Sequence, residues 1–159
     1  MQIFFREYCL VKVLSHLNKL NTDLFKTPVT PTSKVLVIDH NEEITGLLKD
    51  YFEIENIQCK VINDGREGLA ELRNGGKEKY AIVLLDIAIP DFSGFDIFSQ
   101  LKKENLLNNN NVIIFTALSK NMDEFDRMLR DGAKYVLRKP FSIVEIKKLV
   151  ETFTTIPSN

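Results

Sequence analysis

Apolar and polar residues follow two different spacings along most of the chain. Short apolar runs rich in β-branched side chains predict buried strands at residues 35–38, 59–62, 82–85, 112–115 and 135–137. Segments of helical periodicity separate these runs. Five strands that alternate with helices predict an α/β fold in which a parallel sheet is covered on both faces. Because such crossovers are right-handed, we expect a doubly wound sheet with its ligand site at the carboxyl ends of the strands.

The segments between the apolar runs predict helices that pack on the sheet. The first helix repeats apolar residues at the spacing of one helix face, namely Ile44, Leu47, Leu48, Tyr51 and Phe52. The fourth helix is predicted to present Met122, Phe125 and Leu129 as its apolar face. Capping boxes are predicted to begin two helices, one from Ser93 with Asp96 and one from Ser142 with Glu145.

A separate segment precedes the alternating region. Residues 1–25 carry leucines near heptad spacing and predict an amphipathic helix. Residues 26–33 contain two prolines and four hydroxyl side chains, so we interpret them as a linker to a domain at residues 34–155, followed by a tail at 156–159. One interpretation is that this helix packs on its own domain or is a tail from an upstream start codon. The other interpretation is a helix for dimerisation or for docking a partner.

Composition narrows the class of protein. The chain has 159 residues, which suits one globular domain with a short appendage. Its 21 basic and 22 acidic residues give a net charge of −1, which does not favour binding to nucleic acid or to a membrane surface. The two cysteines, Cys9 and Cys59, lack metal-ligand spacing, and a reduced cytoplasmic chain is expected. No signal peptide or membrane-spanning run is recognised.

A reactive side chain lies at the end of four of the five predicted strands. Asp39 follows the first strand, Asp86 the third, Thr116 the fourth, and Lys139 comes just after the last. Since the carboxyl ends of parallel strands share one edge of the sheet, these side chains are predicted to form one site.

The chemistry of these four side chains suits phosphoryl transfer. Two neighbouring carboxylates repel each other unless a cation joins them, and Mg²⁺ prefers oxygen ligands. Asp86 would be the nucleophile that forms an acyl phosphate, Lys139 would add a fixed positive charge, and the Thr116 hydroxyl would donate to a phosphoryl oxygen.

Four motifs resemble the receiver domains of bacterial and archaeal response regulators. They lie at residues 35–39 (VLVID), 84–94 (LLDIAIPDFSG), 113–117 (IIFTA) and 132–141 (GAKYVLRKPF). The resemblance extends over about residues 34–155 and implies a five-stranded sheet of order 2-1-3-4-5, as in flavodoxin-like folds. The implied site residues are Asp86 as phosphoacceptor, Asp39 and the Ala88 carbonyl as metal ligands, Thr116 as the switch hydroxyl and Lys139 as the phosphate partner. The Lys139–Pro140 peptide is expected to be cis.

The same resemblance implies a role in two-component signalling. A sensor histidine kinase or a phosphotransfer protein would phosphorylate Asp86, and the chain would catalyse at most this transfer and its own dephosphorylation. Phosphorylation would change a surface on the fourth and fifth helices and the last strand. No recognisable output domain follows the last helix, so the predicted output is binding to an unknown protein, and a homodimer is a further alternative.

Two positions depart from the family pattern. His40 stands where the family usually has a second acid, which predicts weaker Mg²⁺ binding. The preferred interpretation is a solvent-facing His40; an imidazole ligand would favour Mn²⁺ or Zn²⁺, and Glu42 or Glu43 would be alternative acids. Val136 occupies the usual position of the switch aromatic, and alternation places Tyr135 on the opposite face of the sheet.

The sequence also allows functions other than that of a phosphorylated receiver. A receiver-like interaction module that is never phosphorylated is the main alternative, motivated by His40 and Val136. An aspartate-nucleophile phosphatase would need a second Asp where Ala88 stands, and the acidic loop after the first strand would repel a flavin phosphate. The acids Asp64, Asp91 and Asp96 are predicted to be turn or cap residues.

Overall fold

The computed structural model describes residues 34–74, 80–117 and 122–154, without the side chains of Met122 and Thr154. The predicted helix at 1–25, linker at 26–33 and tail at 156–159 lie outside these residues. The strands are β1 (Lys34–Ile38), β2 (Gln58–Ile62), β3 (Ile82–Asp86), β4 (Val112–Thr116) and β5 (Tyr135–Arg138). The helices are α1 (Glu42–Ile54), α2 (Gly65–Asn74), α3 (Gly94–Lys103), α4 (Met122–Asp131) and α5 (Ile143–Thr154), with a short 3₁₀ turn at Leu107–Asn109.

The five strands form one parallel sheet in the order β2-β1-β3-β4-β5, which confirms the predicted fold. Every residue of β3 and β4 is buried, because helices cover both faces of these central strands. The edge strands β2 and β5 carry exposed residues along their length, which explains their mixed sequences.

Alternate residues of each strand enter two separate cores. Leu36 and Leu85 point into the core that lies under α2, α3 and α4. Val37 and Leu84 point into the core that lies under α1 and α5. The two cores fix the register of the central strands, since a slip by one residue would exchange every side chain between them.

The helix starts mostly agree with the sequence. Ser93 and Asp96 form a complete capping box at α3, and Ser142 and Glu145 form reciprocal hydrogen bonds at the start of α5.

The predicted apolar face of α4 was wrong at one position. Leu129 is exposed, whereas Met128 is buried with Phe125, because residues 125 and 128 lie on the side of the helix that faces the sheet.

No helix among the described residues is both long enough and apolar enough to cross a bilayer.

Candidate functional site

Three of the predicted side chains meet at the carboxyl edge of the sheet. The Nζ atom of Lys139 lies 2.6 Å from Oδ2 of Asp39 and 3.1 Å from Oδ2 of Asp86. The side chains of both acids are almost completely buried, and that of Lys139 is only 8% exposed. The predicted convergence of the first, third and last strand ends is therefore observed as direct contact.

Thr116 ends β4 within the same edge of the sheet. It is fully buried, and its carbonyl accepts a hydrogen bond of 2.7 Å from the backbone N–H of Lys139. The neighbouring residue, Phe115, is in register with Asp86 on β3. Strand pairing therefore ties Thr116 both to the strand of the phosphoacceptor candidate and to the backbone of the lysine.

One oxygen of each carboxylate accepts a hydrogen bond from a backbone N–H group. Oδ1 of Asp39 accepts from the N–H of Asn41 at 2.8 Å, and Oδ1 of Asp86 accepts from the N–H of Ala88 at 3.1 Å. The other oxygen of each group faces Lys139. These bonds fix the orientation of both carboxylates before any ligand arrives.

Burial dominates the electrostatics of Asp39. Desolvation raises the pKa of its carboxyl above the ordinary value, the charge and hydrogen bond of Lys139 oppose that rise, and Asp86 adds to it. Two buried carboxylates thus share one ammonium group. An additional cation would reduce their remaining repulsion.

The residues for such a cation lie at the mouth of the site. Ligand atoms of Asp39, His40 and Asp86 all lie within 4.8 Å of one another. The Nδ1 atom of His40 is 3.6 Å from Oδ2 of Asp86 and 3.8 Å from Oδ1 of Asp39, although its side chain is 44% exposed. The donor set of two carboxylates and an imidazole fits a divalent cation.

The alternative acids do not join this group. Glu42 and Glu43 are exposed in the first turn of α1, outside the cluster of ligand atoms found among the described residues. Ala88 is exposed between the buried side chains of Ile87 and Ile89, which anchor its loop. Its carbonyl remains a predicted ligand.

Sequence reasoning missed two asparagines around the pocket. The side chain of Asn41, rather than that of Asp39, caps α1 by accepting from the N–H groups of Glu43 and Ile44. The amide of Asn63, at the end of β2, donates 2.7 Å to the carbonyl of Asp39. Asn63 follows β2, the one strand after which no site residue was predicted. Its position at a strand end is the sequence signal that could have identified it.

The three acids that were predicted to be turn or cap residues have such local roles. Asp64 accepts from the N–H of Glu67 in the first turn of α2, and Asp96 belongs to the capping box of α3. Asp91 has a φ of 62°, a left-handed turn conformation that Asp tolerates. Lys139–Pro140 is cis, as expected.

The family model of the response regulator receiver domain matches residues 35–151. The chain belongs to the response regulator receiver family. Receiver domains of this family bind Mg²⁺ in an acidic pocket, and they are phosphoacceptors rather than enzymes with a separate substrate.

Curated receiver relatives include regulators with additional sequence. The CpxR homolog of Haemophilus influenzae, a transcriptional regulatory protein, is 32% identical over 131 residues, which cover 80% of this chain and 54% of the relative. The response regulator SaeR of Staphylococcus aureus is 28% identical over 123 residues, covering 76% of this chain and 50% of its own length. This chain therefore spans about half the length of these relatives.

Solved receiver structures share the fold. The receiver domain of the Francisella response regulator 1452 has a TM-score of 0.66 and 31% identity, and the match covers 77% of this chain and 96% of that one. The response regulator TrrA of Thermotoga maritima, solved in complex with Mg²⁺ and BeF, has a TM-score of 0.64 and 26% identity, with 76% and 98% coverage.

This receiver lacks an aromatic residue at the predicted switch position of β5. Val136 is half-buried and packs against the core under α2, α3 and α4, whereas Tyr135 is 46% exposed. The prediction that the two side chains occupy opposite faces agrees with their alternation along β5. On the other face of the sheet from Val136, the ring of Phe115 in the core under α1 and α5 lies beneath Nζ of Lys139, 4.4 Å from its centroid.

Proposed function

We propose that this chain is a two-component response regulator in which Asp86 accepts a phosphoryl group from a histidine kinase or a phosphotransfer protein. The observation that carries the proposal is the contact of Lys139 with both buried carboxylates at the strand ends. A lysine in this place can neutralise an incoming phosphoryl group as soon as it reaches Asp86.

The reaction needs little covalent work from the chain. A carboxylate oxygen of Asp86 forms the bond to phosphorus while the bond between phosphorus and the donor nitrogen breaks, and the donor nitrogen keeps that electron pair. The Ala88 N–H orients the Asp86 carboxylate, and Lys139 compensates the charge of the phosphoryl oxygens. A divalent cation, Mg²⁺ or Mn²⁺, supplies further charge neutralisation when Asp39, Asp86 and the Ala88 carbonyl hold it.

The signal then depends on a small rearrangement at the strand ends. Lys139 exchanges its contact with Asp39 for the phosphoryl group, and the Thr116 hydroxyl turns toward a phosphoryl oxygen. Because the backbone N–H of Lys139 bonds to the carbonyl of Thr116, the two residues move together. The change reaches the neighbouring surface of α4, β5 and α5, where Leu129, Tyr135 and Val144 are exposed.

A protein partner fits this surface better than a direct action on nucleic acid. The near-neutral chain lacks the excess of basic residues that phosphate backbones attract. The transcriptional role of the CpxR homolog belongs to a protein about twice as long, and we do not extend it to this chain.

A receiver that binds partners without phosphorylation is the second candidate function. His40 in place of an acid and Val136 in place of an aromatic favour it, because both positions normally serve phosphorylation or its readout. The test is to incubate the protein with acetyl phosphate and a divalent cation and to measure intact mass. A phosphoryl adduct that depends on Asp86 supports the phosphoacceptor, and its absence with a competent donor supports the alternative.

A further inference from the structure

We propose that His40 is a direct ligand of the divalent cation, and that it gives the pocket a preference for first-row transition ions over Mg²⁺. The ion would be held by Oδ2 of Asp86, Oδ1 of Asp39 and Nδ1 of His40. This inference rests on the proposed function only in assuming that the pocket holds a divalent cation.

The separations between the ligand atoms carry the argument. Nδ1 of His40 lies 3.6 Å from Asp86 Oδ2 and 3.8 Å from Asp39 Oδ1. Both distances exceed those of a hydrogen bond. Two ligands that each lie about 2.1 Å from one ion are about 3.0 Å apart in neighbouring octahedral positions and about 3.4 Å apart in a tetrahedron. Nδ1 of His40 therefore needs only a small movement to share an ion with these two carboxylate oxygens.

The exposure of the three side chains makes that movement feasible. The carboxylates are buried and held by backbone N–H groups, whereas the imidazole is 44% exposed at the mouth of the pocket. The exposed imidazole therefore has room to move toward the two fixed carboxylates. The ion would keep its outer positions for water or phosphoryl oxygens, as a site for phosphoryl transfer needs.

The charge and softness of the donors determine the preferred ion. With Lys139 in place, the two carboxylates leave the pocket a net charge of about −1. Mg²⁺ depends on charged oxygen ligands and gains little from an imidazole. Imidazole nitrogen binds ions such as Co²⁺, Ni²⁺ and Zn²⁺ much better. His40, in place of the family's usual second acid, thus weakens the binding of Mg²⁺ but retains the binding of transition ions.

The test compares Mg²⁺ and Co²⁺ binding by calorimetry without any phosphodonor. The full chain is compared with His40→Asp, His40→Asn and His16→Ala; the last removes the only other histidine. We expect His40→Asn to weaken Co²⁺ binding about tenfold, and His40→Asp to strengthen Mg²⁺ binding by a similar factor. His16→Ala should leave both affinities unchanged. Circular dichroism verifies the fold of each variant.

A spectroscopic signal separates direct ligation from an indirect effect. Co²⁺ bound to a histidine shifts the remaining ring N–H proton strongly in the proton NMR spectrum, and this signal disappears in D₂O. The natural sequence and His16→Ala should show it, and both His40 variants should lose it. Co²⁺ binding without this signal, a signal that persists in His40→Asn, or no binding of any divalent ion would overturn the proposal. Because no phosphodonor is present, failure here is distinct from failure of Asp86 to be phosphorylated.

Discussion

Nζ of Lys139 lies 2.6 Å from Oδ2 of Asp39, although 100 positions separate the two residues in the sequence. Their strands, β5 and β1, are not neighbours in the sheet, since β3 and β4 lie between them. The lysine side chain crosses this space over the ring of Phe115 on β4. The pocket thus depends on one long side chain that joins the acids of β1 and β3 to the far edge strand.

Removing this lysine charge should destabilise the cation-free protein. Lys139→Gln leaves two buried carboxylates without their ammonium partner, and the free energy of unfolding is expected to fall by about 3 kcal/mol near neutral pH. Urea denaturation measures the change, and saturating Mn²⁺ should restore part of it. The exposed Lys134, replaced in the same way, is the matched control and should change stability by less than about 0.5 kcal/mol. Equal stabilities of the two variants would contradict the assigned role of Lys139.

Asp39, the buried acid that follows β1, should lower the free energy of unfolding at neutral pH. Burial raises the pKa of Asp39 in the folded state above its ordinary value of 3.8. The folded state therefore holds this proton more tightly than the unfolded state, and stability is lost as pH rises through the folded pKa. Asp39→Asn removes that loss, so the variant should gain stability relative to the natural sequence as pH rises above the ordinary pKa of 3.8. An advantage of the variant that grows toward low pH would have the wrong sign.

Two glycines offer a matched pair for the packing beneath Asp86. A Cβ atom at Gly94 would lie 2.2 Å from the carbonyl oxygen of Asp86 and 2.8 Å from Cα of Ile87, and neither backbone atom can yield without moving the loop. Gly94→Ala is expected to destabilise the protein by about 2–4 kcal/mol and to slow phosphorylation.

The helical Gly46, by contrast, has open space where a Cβ atom would be placed. Gly46→Ala should stabilise the protein by roughly 0.5–1 kcal/mol through helix propensity. Thermal unfolding compares the two variants, and a Gly94→Ala protein as stable as Gly46→Ala would show that the β3–α3 loop is not tightly packed.

Substitutions of Thr116 should separate phosphoryl transfer from signalling. Thr116→Val keeps the buried shape but removes the hydroxyl, whereas Thr116→Ser keeps the hydroxyl. We expect both variants to be phosphorylated within about tenfold of the natural rate, since Asp86 and Lys139 remain in place. Only Thr116→Ser should retain the change in hydrogen exchange over α4 and β5 when a beryllium fluoride analogue of the phosphoryl group binds. The same exchange pattern in the Val variant would exclude a switch role for this hydroxyl.

The strand ends were predictable because their position depends on topology alone. Any residue that follows a buried parallel strand reaches the same edge of the sheet, so the sites of Asp39, Asp86 and Thr116 followed from the apolar runs. The position of His40 was less predictable, because a loop residue is directed by local hydrogen bonds such as those that Asn41 makes. The error at Leu129 has a similar origin. Met128 and Leu129 lie three and four residues after Phe125, and both spacings are compatible with one helix face. Only the packing of α4 on the sheet determines that Met128 is the buried one.

The most direct test of the central claim is the intact mass of the protein after incubation with acetyl phosphate, in separate reactions with Mg²⁺ and Mn²⁺. The Asp86→Asn variant tests the proposed acceptor, and Asp91→Asn alters an exposed turn acid of the neighbouring loop as the control. We predict one added phosphoryl group on the natural sequence and on Asp91→Asn, and none on Asp86→Asn. An unmodified natural protein under conditions that phosphorylate another receiver, or an adduct that persists in Asp86→Asn, would contradict the assignment of Asp86 as the phosphoacceptor.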